Sequence, residues 1–265
     1  MPIANETAEK SMTAPQFRVL GVRVSAVQIP QVVTMMEDWI HSGKTGMYVA
    51  VTGMHGVSEA RTNGKFRDIL NGASLVVPDG MPLVWLGRLR GFGLKRRVYG
   101  PELMMTFCES TAQKGYRHFL YGGADGVPEQ LVKVLEERCP GISIVGTYSP
   151  PFRTLTPQEE WEVVQRIESS GADIVWVGLS TPKQEQWMVH FRNKLRVPVL
   201  VGVGAAFDFH TGRQRQAPVW MRENGLEWFF RLVTEPRRLW RRYLVNGSGF
   251  VCNVGLELLK LRRFE

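Results

Sequence analysis

Asp173-Ile174-Val175-Trp176-Val177-Gly178-Leu179-Ser180-Thr181-Pro182-Lys183-Gln184-Glu185 is the stretch that decides the fold. Ile174 to Leu179 is a short apolar run rich in β-branched residues, which fits a strand buried on both faces. Ser180 and Thr181 suit a helix cap, Pro182 the first helical position, and Lys183, Gln184 and Glu185 the first turn. Central strand, tight turn and helix form the repeating unit of an open parallel α/β sheet. Ligands of such sheets sit at the carboxyl ends of the strands, against helix N-termini whose free N–H groups favour anions. Lys183 and Gln184 are therefore expected in that crevice, although ordinary capping at a surface turn accounts for the same residues equally well.

Outward from this unit the alternation recurs. Met47 to Thr52, Leu75 to Pro78, His118 to Tyr121, Ile142 to Tyr148 and Val197 to Val203 read as further strands, separated by segments with helical apolar spacing. Phe17 to Ser25 alternates around Gly21 and suggests a small hairpin. The pattern predicts an α/β fold, a mostly parallel sheet with helices on both faces. It divides the chain into a loose tail over 1–16, an α/β domain over 17–212, and a basic helical appendage over 213–265.

Composition narrows the setting. The chain has 265 residues, enough for one large α/β domain, and its 44% apolar content is that of a protein with a sizeable core. Cys108, Cys139 and Cys252 are odd in number and form no CxxC pair, which predicts a reducing, cytoplasmic setting without a disulfide framework or zinc site. No apolar run reaches the ~18 residues of a membrane span, and the polar start lacks the apolar region of a signal peptide. The net charge of +8 is concentrated late: from Arg231 to Arg263 there are eight basic residues against Glu235 and Glu257. Such a cluster implies an anionic partner.

Parallel strands bring every post-strand loop to one rim, so polar residues there converge on one cleft. These are Thr52 with His55, Asp79, Gly122-Gly123-Ala124-Asp125, Thr181 with Gln184, and Gly204 to Asp208. Asp79, after Val76-Val77-Pro78 and before Gly80, suits either a general base with apolar neighbours or a turn-forming Asp. Gly122-Gly123 and Gly202-Val203-Gly204 are turns whose N–H groups can approach phosphate. The second misses G-x-G-x-x-G because Phe207 holds the last glycine position. Asp208 fits a ribose or base contact, or a turn cap. The histidines are scattered and read as structural rather than as metal ligands. With no D-x-D, P-loop, H-E-x-x-H or G-x-S-x-G, phosphate charge falls to Lys and Arg. Leu226 to Leu244 and Phe250 to Phe264 carry arginines among Trp, Phe and Leu at helical spacing, with Val251, Val254, Leu258 and Leu261 on one stripe. That pattern suits an anionic membrane surface, or a helix packed on its own domain.

In combination, several motifs resemble the WecG/TagA/CpsF family of bacterial glycosyltransferases, glycosyltransferase family 26. They are VVPDGMPLVW (Val76 to Trp85), RVYGPELM (Arg97 to Met104), FLYGG (Phe119 to Gly123), VGLSTPKQEQW (Val177 to Trp187), GVGAAFDFHTG (Gly202 to Gly212), RQAP (Arg215 to Pro218) and GLEWFFRLVTEPRRLWRRYL (Gly225 to Leu244). The likeness covers about Val19 to Val245. It implies a Rossmann-like fold and inverting, metal-independent transfer of a hexose from a UDP-sugar to an undecaprenyl-diphosphate saccharide. The enzyme would be peripheral on the cytoplasmic face of the inner membrane, with the C-terminal appendage closing the site. N-acetylmannosamine, its uronic acid, glucuronic acid and glucose all fit as the sugar.

By motif, Asp79 would be the base, Thr52 would help place the substrates, Gln184 would contact the donor and Asp208 the nucleotide, while their places after strands make Lys183, Gly122, Gly123 and Gly204 further substrate-binding candidates. Arg97, Arg231, Arg238 and Arg241 would hold the diphosphate or the acceptor. No cofactor is expected, and a homo-oligomer is compatible. The family usually reads T-P-N where this chain has Thr52-Gly53-Met54, so the amide at Met54 is missing. Two other classes compete. A Rossmann oxidoreductase requires the intact glycine fingerprint and an acid ~20 residues on; a nucleic-acid-binding module would rest on the basic tail alone. The interleaved Trp, Leu and Phe favour packing and membrane contact over nucleic acid.

Overall fold

The computed structural model describes residues 14–264. A hairpin, β1 (Gln16–Val19) and β2 (Val22–Ser25), leads into α1 (Ile29–His41), β3 (Met47–Thr52), α2 (Met54–Thr62), α3 (Gly64–Asn71) and β4 (Leu75–Pro78). Then come α4 (Met81–Leu89), α5 (Gly100–Thr111), β5 (Arg117–Gly122), α6 (Val127–Arg138), β6 (Ser143–Tyr148), α7 (Pro157–Ser170) and β7 (Ile174–Gly178). The core closes with α8 (Lys183–Phe191), β8 (Val199–Gly202) and α9 (Ala206–His210). The appendage is α10 (Val219–Glu223), α11 (Glu227–Thr234), α12 (Pro236–Trp240), a π-helical turn Arg241–Val245, and α13 (Asn246–Leu258). Of the tail expected over 1–16, residues 1–13 lie outside the described residues, and Gln16 already pairs with Ser25 in the hairpin.

Six strands form one sheet in the order β4-β3-β8-β7-β5-β6, every pair parallel. Side chains alternate between its faces. Val49, Val51, Leu75, Val77, Ile174, Trp176, Val199 and Val201 pack beneath α1, α5 and α6. Tyr48, Phe119, Tyr121, Val175, Val177 and Leu200 meet α7 and α8 on the other face, where Ala50 and Val76 meet the hairpin and α2 to α4. The Ser25 hydroxyl accepts the Val76 N–H (3.2 Å), which ties the hairpin to edge strand β4. His118 is structural, as its sequence setting suggests: Nδ1 accepts the Trp176 indole N–H (3.0 Å), and burial lowers its pKa to about 4.

The ends of several elements differ from the sequence reading. Helix α8 starts at Lys183, after a cis Thr181–Pro182 peptide and with Ser180 at φ 64°. Neither Ser180 nor Thr181 caps it; the Thr181 hydroxyl donates to Glu185 Oε1 instead (2.8 Å). The single stripe expected along the last helix divides. Phe250 and Val254, four apart, are buried in the hairpin-side core, whereas Val251, Leu258 and Leu261 are exposed. Among the described residues, no helix is long and apolar enough to cross a membrane.

Candidate active site

Strand β4 ends at Pro78, and Asp79 follows with its N–H donating to the Thr52 carbonyl at the end of β3 (2.9 Å). Gly53 lies so close that a Cβ there would stand 2.4 Å from the Asp79 carbonyl oxygen, so only glycine lets the two strand ends meet. Gly80, at φ 117°, then turns the chain into α4. Asp79 thereby lines a cavity of about 170 Å³ with Gly53, Met54, His55, Met81, Arg97 and Thr181, closed from the appendage by Glu227, Trp228, Arg231 and Tyr243. Of the loops expected to converge on one cleft, His55, Asp79 and Thr181 border this cavity, whereas Thr52, Gln184, Gly122 to Asp125, Gly204 and Asp208 do not line it.

Arg97 organises this cavity. It pairs with Asp79 (3.7 Å) and with Glu227 of the appendage, and its guanidinium stacks 4.0 Å from the Tyr99 ring centroid. Burial works against its charge, yet the two carboxylates outweigh that and raise its pKa. The Tyr99 phenol donates to Glu227 (3.4 Å); its pKa is raised by burial first, then by the Glu227 and Asp79 charges. Arg231 lies 5.9 Å from the Phe209 ring, with its Nε buried and without an acceptor among the described residues. Thr52 Oγ1 is likewise buried with no hydrogen-bond partner.

Gln184 is buried rather than open to the crevice. Its Nε2 donates to Glu185 Oε1 (3.1 Å), and its Oε1 accepts the Gly204 N–H (2.8 Å), so the amide shapes the turn after β8. Glu185 is fully buried, and desolvation raises its pKa despite hydrogen bonds from Thr181 and Gln184; its Oε2 has no hydrogen-bond partner among the described residues.

The glycine turns do not offer the N–H groups expected of them. Gly123 N–H donates to the Gly178 carbonyl (3.1 Å), and Gly204 N–H is taken by Gln184. Gly122, at φ 123°, instead permits close approach of β5 to β7: a Cβ there would fall 2.6 Å from the Gly178 oxygen.

The remaining expected residues separate. Lys183 is exposed and borders neither large cavity. Asp208, on α9, faces Arg213 (3.8 Å) outside the Asp79 cavity. Arg241 is exposed on the π-helical turn, and the Arg238 side chain lies outside the described residues. Met54, where an amide is missing, lines the Asp79 cavity, and its methyl lies 3.5 Å from where a Cβ on Gly247 would stand, close beneath the appendage.

Sequence reasoning missed Glu227, Tyr99, Glu185 and Arg222. Glu227 precedes Arg231 by four residues on α11, a spacing that places both on one helix face, and this was its available signal. Among the described residues, no group of three or more His, Cys, Asp or Glu stands together as a metal-binding set.

An open parallel sheet with an acid and arginines at its carboxyl rim is the ligand-binding arrangement of the open α/β class. The model of the "Glycosyl transferase WecG/TagA/CpsF family" matches residues 17–264, and the chain belongs to that family. Over 186 residues it is 34% identical to an N-acetylglucosaminyldiphosphoundecaprenol N-acetyl-beta-D-mannosaminyltransferase of Bacillus spizizenii, covering 70% of each chain. A relative of the same description from Staphylococcus aureus is 26% identical over 89% of this chain and 91% of its own. A solved ABC transporter substrate-binding protein of Desulfitobacterium hafniense aligns at a TM-score of 0.31 and 12% identity, over 66% of this chain and 52% of that one, which is too distant to carry an argument.

Proposed function

We propose that this glycosyltransferase moves a hexose, N-acetylmannosamine first among the candidates, from a UDP-sugar to an undecaprenyl-diphosphate-linked N-acetylglucosamine. It does so with inversion and without a metal, at the cytoplasmic face of the membrane. The observation that carries this reading is the Asp79 cavity, about 170 Å³, which gathers Asp79, the Arg97 paired to it, and Glu227 and Arg231 of the appendage, the Arg231 Nε being buried without an acceptor among the described residues.

In a single displacement, the acceptor hydroxyl oxygen bonds to the anomeric carbon as the bond from that carbon to the diphosphate oxygen breaks. Asp79 takes the hydroxyl proton, and the departing UDP takes the bonding electron pair. Arg97 holds the Asp79 carboxylate in place, and Arg231 brings an unsatisfied N–H to the developing phosphate charge. A guanidinium suits that task because its planar donors match phosphate oxygens. Gln184 and Glu185 act at one remove, fixing Thr181 and the Gly204 turn. Tryptophan and leucine side chains exposed along the appendage, Trp240, Leu259 and Leu261 among them, fit contact with a bilayer.

Incubating the protein with UDP-N-acetylmannosamine and a lipid-diphosphate N-acetylglucosamine tests this reading. The expected product is a β-linked lipid disaccharide, formed in the presence of EDTA. Transfer from none of the four UDP-sugars would refute it.

A further inference from the structure

A second and larger cavity, about 840 Å³, adjoins the Asp79 cleft; Met81 and Arg97 line both. Its walls come from α4, the strand-free segment before α5, α5 itself, α9 and α10. Six arginine and lysine side chains face it against three glutamates. Most of these cations are already engaged: Arg88 donates to the Leu94 and Lys95 carbonyls, and Arg96 pairs with Glu223 and Glu102.

Arg222 differs from them. Its guanidinium lies 5.9 Å from the Tyr99 ring, and its Nε is buried with no acceptor among the described residues. A buried donor on a cation is costly until an oxygen meets it. Apolar groups stand at the opposite end of the polarity scale, for Trp85 and Val219, which line the chamber, are about half exposed, as is the neighbouring Trp220.

We propose that this chamber binds the diphosphate head of the lipid-linked acceptor. Arg222 is its phosphate ligand, and Trp85 and Val219 border the start of the prenyl tail. A cationic interior behind an apolar border selects an amphiphilic diphosphate over a nucleotide, which has no apolar tail to place. The shared Arg97 then puts the acceptor saccharide next to Asp79. The assignment rests on the glycosyl-transfer reading for its physiological ligand, and on the chamber's own chemistry for the ligand class.

Calorimetric titration of the full-length protein with farnesyl diphosphate, and separately with UDP, tests it. Arg222→Ala is expected to weaken farnesyl diphosphate binding at least about tenfold and leave UDP binding unchanged, with Arg222→Lys recovering part of the loss. Melting curves check that each variant is folded, and Trp85→Ala provides a second variant with the same expected direction. Absence of farnesyl diphosphate binding, equal binding by wild type and both Ala variants, or an equal loss of UDP binding overturns the proposal. A wild-type protein that binds farnesyl diphosphate through Arg222 yet transfers no sugar would refute the catalytic reading and leave the chamber standing.

Discussion

The sheet core and the C-terminal appendage are held by different physics. Helix α5 alone buries eight residues against the sheet, whereas α10 and α11 bury none. The appendage docks instead through three arginine–glutamate pairs, Arg90–Glu257, Arg96–Glu223 and Arg97–Glu227, in each of which the core supplies the arginine and the appendage the glutamate. Its apolar attachment includes Phe250 and Val254 in the hairpin-side core. At the Asp79 cavity the appendage is fastened by charge alone among these contacts, whereas on α13 the Arg90–Glu257 pair joins the apolar plug. Of the fastening arginines, Arg96 and Arg97 also line the cavities beneath the appendage, whereas Arg90 lines neither.

Breaking the plug should produce the largest effect. Phe250→Ala removes a buried aromatic and is expected to destabilise the protein by about 3 kcal/mol in urea unfolding; a change below about 1 kcal/mol would show that α13 adds nothing to the core. Next comes Arg231→Ala, expected to lower kcat/KM by roughly fiftyfold, about 2 kcal/mol, with an unchanged melting temperature. Activity at the wild-type level would remove the appendage from the reaction.

Within the core, Glu185→Gln should be stabilising by about 1 kcal/mol at pH 8. The folded-state pKa of Glu185 is raised, so its proton-linked stability is complete below the ordinary carboxylate range and lost as pH rises through the raised value. The gain from Gln should therefore shrink toward pH 4, and a pH-independent gain would contradict the linkage. His118 has the opposite sign: with its pKa lowered to about 4, stability should fall as pH drops from ~6.5 toward 4 and level off below. The smallest effect belongs to the exposed ion pair. Arg96–Glu223 is worth at most about 1 kcal/mol, so Glu223→Gln should only modestly speed proteolysis of the appendage, and a large acceleration would mean that this single pair carries most of the docking.

The core was legible in the sequence because its strands are uninterrupted apolar runs such as Met47 to Thr52 and Ile174 to Gly178, a pattern set by burial on both faces. The convergence of Asp79 and Thr181 followed from parallel topology alone. What escaped depends on tertiary partners. Spacing does not reveal that Thr181 binds Glu185 rather than capping α8, or that the Gly123 and Gly204 N–H groups are consumed within the protein. Glu227 read as one polar residue on an amphipathic helix, since nothing local announces a partner 130 residues away at Arg97.

The proposed transfer depends on Asp79 as the proton acceptor in a cleft built from both regions. Single-turnover transfer by Asp79→Asn, at UDP-sugar occupancy matched to wild type, measures this most directly. A rate at least about a hundredfold lower, with UDP binding and melting temperature retained, is predicted. A rate within a few-fold of wild type would contradict it.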